Sequence, residues 1–63
     1  MITYTVFDPD DGSGRTYWWY RESMVYVHQD GREVDAFEVE TAEAGGPTFD
    51  EVSVAVDSRH RAT

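Results

Sequence analysis

Residues 47–61, Pro-Thr-Phe-Asp-Glu-Val-Ser-Val-Ala-Val-Asp-Ser-Arg-His-Arg, decide the fold, because they satisfy two periodicities at once. Val52, Val54 and Val56 alternate as a strand would. Against this, Thr48 followed three residues later by Glu51 is a capping-box pattern. Phe49, Val52 and Val56 fall on one helical stripe. Acids precede bases from Asp50 to Arg61, as the helix dipole favours. The rest of the chain breaks the tie. It reads as a sheet, a sheet needs something to cover one face, and this segment is the candidate cover. A helix is therefore expected from about Phe49 to His60.

Working back toward the N-terminus, Ile2 to Phe7 is β-branched and aromatic and reads as a first strand. Asp8-Pro9-Asp10-Asp11-Gly12-Ser13-Gly14 is a dense run of turn formers where the chain reverses. Arg15 to Arg21 (RTYWWYR) reads as a second strand, Glu22-Ser23 as a tight connection, and Met24 to Gln29 as a third strand. Asp30-Gly31 is the strongest hairpin signal, since both central residues of such a turn want positive φ. A fourth strand follows over residues 32–40, and residues 41–47 form a loop. The expected architecture is one α+β domain spanning residues 1–63, a four-stranded antiparallel meander with one C-terminal helix on one face. An all-β five-stranded meander is the alternative.

Alternation assigns faces. Ile2, Tyr4 and Val6 are expected inward, with Trp18, Tyr20, Val25 and Val27, leaving Tyr17, Trp19, Tyr26 and His28 on the other side. In the fourth strand Val34 is expected inward and Asp35 outward. Phe37 and Val39 have the opposite parity to Val34, so a bulge is expected near Ala36. A one-residue slip would reverse every assignment.

The chain has 63 residues and a formal net charge of −8, with 13 Asp and Glu against five Arg and no Lys. Eight Val, four Tyr, three Phe and two Trp, with no Leu, suit pleated sheet. A chain this short buries only about 60% of its unfolded surface, so its core is thin. Without cysteine there is neither a disulfide framework nor a thiolate metal site, and His28 and His60 share no ligand spacing. No stretch approaches the roughly 20 apolar residues of a membrane span. The first residues lack the basic region and apolar core of an export signal. The expectation is a soluble, cytoplasmic protein without metal or cofactor.

A negative field of this size repels nucleic acid and anionic membrane and attracts basic surfaces. The run from Asp8 is not a calcium loop, because the sixth and twelfth positions hold Ser13 and Trp19 rather than Gly and Glu. No nucleophile elbow or base pair for acid–base catalysis is recognisable, so the expectation is a binding protein and not an enzyme. His28 reads as a partly exposed strand residue, and His60 as a complement to the helix C-terminus. Tyr17-Trp18-Trp19-Tyr20 must divide its rings between both sheet faces. Since one helix hides one face, Tyr17 and Trp19 are expected to stay partly exposed, beside Tyr26, as apolar anchors for a partner or a homodimer.

The carboxylates fall into groups: Asp8, Asp10 and Asp11; Glu33, Asp35, Glu38, Glu40 and Glu43; and Asp50, Glu51 and Asp57. Alternate strand residues project about 6.6 Å apart, roughly twice the 3.4 Å rise per phosphate of a DNA strand. In size and charge, with Asp8/Asp10/Asp11 and Glu33/Asp35/Glu38/Glu40 as its acidic runs, the chain resembles the DNA-mimic inhibitors encoded by phages and mobile elements, including anti-CRISPR proteins. That resemblance rests on no motif and transfers no residue. It implies a basic, nucleic-acid-binding partner, with Asp8, Asp10, Asp11, Glu33, Asp35, Glu38, Glu40 and Glu43 standing where phosphates would sit. Two alternatives remain open at this point: adaptation to high salt, where the charge serves hydration, and a small carbohydrate-binding module using exposed Trp and Tyr rings.

Overall fold

The capping box closes as its spacing requires. In the computed structural model, which describes residues 3–62, Thr48 Oγ1 accepts from Glu51 N at 3.2 Å, and Glu51 Oε1 accepts from Thr48 N at 2.9 Å. Both interactions satisfy backbone donors that a helix start leaves orphaned. The helix, α1, runs Phe49–Arg61 and buries Val52 and Val56. Val54, which would complete a strand's alternation, is 70% exposed. Arg59, His60 and Arg61 occupy the last turn, where their positive charge complements the dipole.

Four strands precede it: β1 (Thr5–Phe7), β2 (Arg15–Trp19), β3 (Met24–Gln29) and β4 (Arg32–Glu38). They form one antiparallel sheet in the order β1-β2-β3-β4. The α+β reading therefore holds, and the five-stranded alternative falls. Strands β1, β2 and β4 are shorter than expected, and Ile2 lies outside the described residues. Asp30 (φ 53°) and Gly31 (φ 84°) turn β3 into β4 with both residues in the left-handed region. Gly14 (φ 74°) approaches the Asp30 carboxylate so closely that a side chain there would collide with it.

The face assignment is corrected on two strands. Tyr17 and Trp19 are buried (0% and 2% exposed), whereas Tyr4 and Val6 are exposed. Register carries the inversion: Thr5 pairs with Trp19 and Phe7 with Tyr17, so the two strands slip together. The reason lies in the helix. Either parity of residues 15–21 offers two large rings, but α1 supplies partners for only one set. Phe49 packs on Phe7 (ring centroids 5.3 Å) and on Trp19 (6.3 Å). The Tyr17 hydroxyl meets His60 Nδ1 at 2.9 Å, and Trp19 Nε1 donates to the Glu22 carbonyl at 2.7 Å. Those contacts give both buried rings a home for their polar ends. Val25, Val27, Val39, Val52 and Val56 complete the core, with Phe37 packed against it.

A bulge interrupts β4, two residues earlier than expected. Val27 pairs with Asp35 and His28 with Glu33, leaving Val34 as the extra residue. Val34 is consequently 56% exposed and not inward. The same shift turns Asp35 to the helix side, against the expectation, where Arg59 Nη2 reaches its Oδ2 at 2.8 Å.

Candidate functional site

With Tyr17 and Trp19 in the core, the other parity of β2 and its neighbours forms a sheet face that no element of the described residues covers. Tyr4, Val6, Thr16, Trp18, Tyr20, Met24, Tyr26, His28 and Ala36 share it by register. Its rings contact one another across strands. Tyr4 stacks on Trp18 (5.3 Å, 14°) and Trp18 on His28 (4.9 Å, 20°). Tyr20 leans on Tyr4 at 5.7 Å and meets Tyr26 edge-on at 5.8 Å. Tyr4 approaches Trp18 from the β1 side and His28 from the β3 side, so the indole turns its edge outward. Trp18 Nε1 donates to Thr16 Oγ1 at 3.0 Å. Cross-strand pairs of this kind are each worth roughly 0.2–1 kcal/mol.

Three carboxylates border this face. Tyr26 donates its hydroxyl to Glu22 Oε1 at 2.9 Å. That bond, and then the Glu22 charge, push the Tyr26 phenol above its usual range, because ionising it would place two anions together. Glu33 lies opposite His28 and Glu38 opposite Met24.

The eight carboxylates expected to act together are dispersed over the fold. Asp8, Asp10 and Asp11 lie in the loop from β1 to β2, at the end of the sheet that also holds the Asp30-Gly31 turn. Glu38, Glu40 and Glu43 lie at the opposite end, about 20 Å away along the strands. Glu33 and Asp35 sit between, on opposite sides of β4. Two of the eight pair with internal cationic side chains. Asp11 Oδ2 meets His60 Nε2 at 2.6 Å, and Asp35 pairs with Arg59. Asp8 and Asp11 also cap their own loop, accepting from the backbone N–H groups of Asp10 and Ser13.

Those internal bonds shift titration downward. The His60 hydrogen bond, followed by those from Ser13, holds the Asp11 carboxyl far below the usual range. The Ala36 backbone N–H, then Arg59, lowers the Asp35 carboxyl as well. Asp11, His60 and Tyr17 form a continuous chain from loop to helix to core. Because Tyr17 is fully buried, this chain ties the β1–β2 loop to α1.

The arginines divide the molecule. Arg15, Arg32, Arg59 and Arg61 stand at the end shared with Asp11, where Arg59 and Arg61 pair with Asp35 and Asp57. At the other end Glu22, Glu38, Glu40, Glu43, Asp50 and Glu51 face Arg21. That guanidinium lies 4.4 Å over the Trp19 ring and donates to Thr5 Oγ1 at 3.1 Å. No ion pair engages Glu22, Glu38, Glu40, Glu43 or Asp50 among the described residues. Glu38, Glu40, Asp50 and Glu51 line one shallow groove between β4 and α1. Glu51 is the exception in this group, since Thr48 and Thr41 consume both its oxygens and depress its pKa.

Among the described residues, no three His, Asp or Glu converge as metal ligands. No helix there is long and apolar enough to cross a membrane. Comparison with protein-family models, curated proteins and solved structures finds no match. Sequence reasoning located the aromatic cluster and its division between two faces, but assigned the wrong pair of rings to the outside. It missed Glu22 and the charge separation, which arise only when antiparallel strands bring residues 22, 38 and 40 to one end.

Proposed function

We propose that this chain is a non-enzymatic acidic binding protein that occupies the nucleic-acid-binding surface of a basic partner. The separation of charge carries this reading. Four of the five arginines gather at one end of the sheet and leave the other with five carboxylates, Glu22, Glu38, Glu40, Glu43 and Asp50, that no ion pair engages among the described residues. Unpaired carboxylates keep their full field toward solvent and steer a cationic surface, whereas internally paired ones do not. The contact therefore belongs to this end, which keeps Glu38, Glu40 and Glu43 of the eight expected residues and adds Glu22 and Asp50. Asp11 and Asp35 serve the fold, and Asp8 and Asp10 form a separate, smaller acidic group.

The reading follows the strategy of DNA-mimic inhibitors. A scaffold of 35 × 29 × 17 Å gathers anionic groups at one end, where they would stand in for backbone phosphates. The test uses affinity capture from lysate with a triple variant as control. Wild type should retain a basic protein that duplex DNA elutes, and Glu38→Lys/Glu40→Lys/Glu43→Lys should lose it with the fold intact. Capture indifferent to the triple reversal, or a captured protein that duplex DNA cannot release, refutes the proposal.

A further inference from the structure

The uncovered aromatic face adjoins the acidic end, because Glu22 and Glu38 belong to both. One strand face in a small domain exposing rings from Tyr4, Trp18, Tyr20 and Tyr26 is an apolar patch beyond scattered surface residues, and such patches mark contact sites. Two occupants compete for it: a second copy of this chain and a cationic protein surface.

Magnitudes decide between them. Four strands about 4.8 Å apart and roughly five residues long give a footprint of about 300–400 Å². Two copies meeting face to face would bury under about 1,000 Å² in total, short of the roughly 1,200–2,000 Å² of stable interfaces. Extending such a dimer beyond the rings would bring the carboxylate borders of the two copies, Glu22, Glu33 and Glu38, toward one another, in a molecule of net charge −8. Like charges across an interface cost affinity. A cationic partner gains where the second copy loses, since its contact can grow past the rings onto the carboxylate border.

The chain itself shows how it holds such groups. Arg59 lies with its guanidinium carbon 4.7 Å over Phe37 while its Nη2 pairs with Asp35. The elements of that seat, an aromatic ring beside a carboxylate, recur on the open face without an arginine. Tyr26 holds Glu22 by one oxygen, and Oε2 of that carboxylate accepts from no side chain among the described residues. Register also sets Glu33 beside His28.

Building on the proposed function, we infer that the open face docks arginine side chains of the partner. Their aliphatic stems lie along the ring edges of Trp18, Tyr20 and Tyr26, and their guanidinium groups reach Glu22, Glu33 and Glu38. Arginine suits this task because it is weakly hydrated, planar and bidentate toward carboxylates. Its stem covers apolar surface while the head stays polar.

The probe is an alternating Arg-Ala peptide of ten residues, with a citrulline counterpart that keeps the shape and removes the charge. Titration followed by aromatic NMR should move the Tyr20 and Tyr26 rings and leave buried Tyr17 still. Tyr20→Ser/Tyr26→Ser should bind about tenfold more weakly, a loss of about 1.4 kcal/mol. Glu22→Gln, which keeps the backbone carbonyl that accepts from Trp19, should weaken binding as well, and the citrulline peptide should not bind. If the peptide binds both open-face variants normally but fails with Glu40→Gln/Glu43→Gln, the docking face is wrong while the acidic-end function survives. If the peptide does not bind wild type, both fall. A concentration-dependent dimer in sedimentation that Tyr20→Ser/Tyr26→Ser dissolves would give the face to a second copy and overturn the inference.

Discussion

The two faces of the sheet carry nearly the same aromatic inventory and meet opposite fates. Phe7, Tyr17, Trp19 and Phe37 lie under α1, while Tyr4, Trp18, Tyr20, Tyr26 and His28 lie uncovered. On the covered face each ring packs against the helix or a core neighbour, and the polar ends of Tyr17 and Trp19 find buried partners. On the open face the rings satisfy one another, by stacking and edge contacts between strands. Ring identity did not select the core. The availability of Phe49 and His60 on one side did.

Paired substitutions give the sharpest test of this contrast. Trp19→Ala should cost about 3–5 kcal/mol, the usual penalty for emptying a large buried site. Trp18→Ala, one residue away, should cost about 1 kcal/mol or less from lost cross-strand stacking. Denaturant unfolding measures both, and equal losses would mean the two faces are not distinct. In a quenching experiment on the two single-Trp variants, acrylamide should reach Trp18 and spare Trp19.

Next in size, Tyr17→Phe removes the hydroxyl that meets His60 and should destabilise by about 1–2 kcal/mol. The matching change on the open face, Tyr20→Phe, should be near neutral. Thr48→Ala should cost about 1 kcal/mol by opening the capping box. That change also tests whether α1 must be well formed to keep the covered face dry. If it does, Thr48→Ala will raise dye binding to exposed apolar surface. The smallest effect belongs to the bulge. Val34→Thr should stay within about 0.5 kcal/mol, since Val34 faces solvent.

Acid sharpens the comparison in another way. Asp11, Asp35 and Glu51 all titrate below their ordinary values of 3.8, 3.8 and 4.5 because they accept hydrogen bonds or pair with cations in the folded state. A carboxylate with a depressed folded pKa binds protons more readily when unfolded. Its contribution is therefore complete above the ordinary carboxylate range and is lost as pH falls through that range toward the folded value. Stability should decline on acidification below about pH 4.5, and Glu51→Gln should flatten the decline. The covered face, which these three residues help to hold against the helix, should loosen first. Near-ultraviolet dichroism of the buried rings would report it.

Much of the fold was legible in residue order. Asp30-Gly31 announced its turn because few residue pairs accept two positive φ angles. Thr48 and Glu51 marked a helix start by their spacing, and the sheet's need for a cover decided for the helix over the alternating valines. The candidate site was legible only in part. The run Tyr17-Trp18-Trp19-Tyr20 revealed that one face must carry spare rings, since four consecutive aromatics on a strand cannot share a side. It could not reveal which face, because both parities hold two large rings of similar burial value. Charge was legible as a total but not as a pattern. Asp35 and Asp11 look like free acids in the sequence and are tied by Arg59 and His60, which lie 24 and 49 positions away.

Short-range signals settled what they can reach: turn residues and alternation act within a few positions, so strands, hairpins and net acidity follow from the amino acids themselves, and the helix follows once the sheet they build needs a cover. Which rings enter the core, which carboxylates lose their field to an internal cation, and where the anionic groups gather depended on contacts between segments far apart in the chain. The helix landing on one face chose among alternatives that local energetics leave nearly equal.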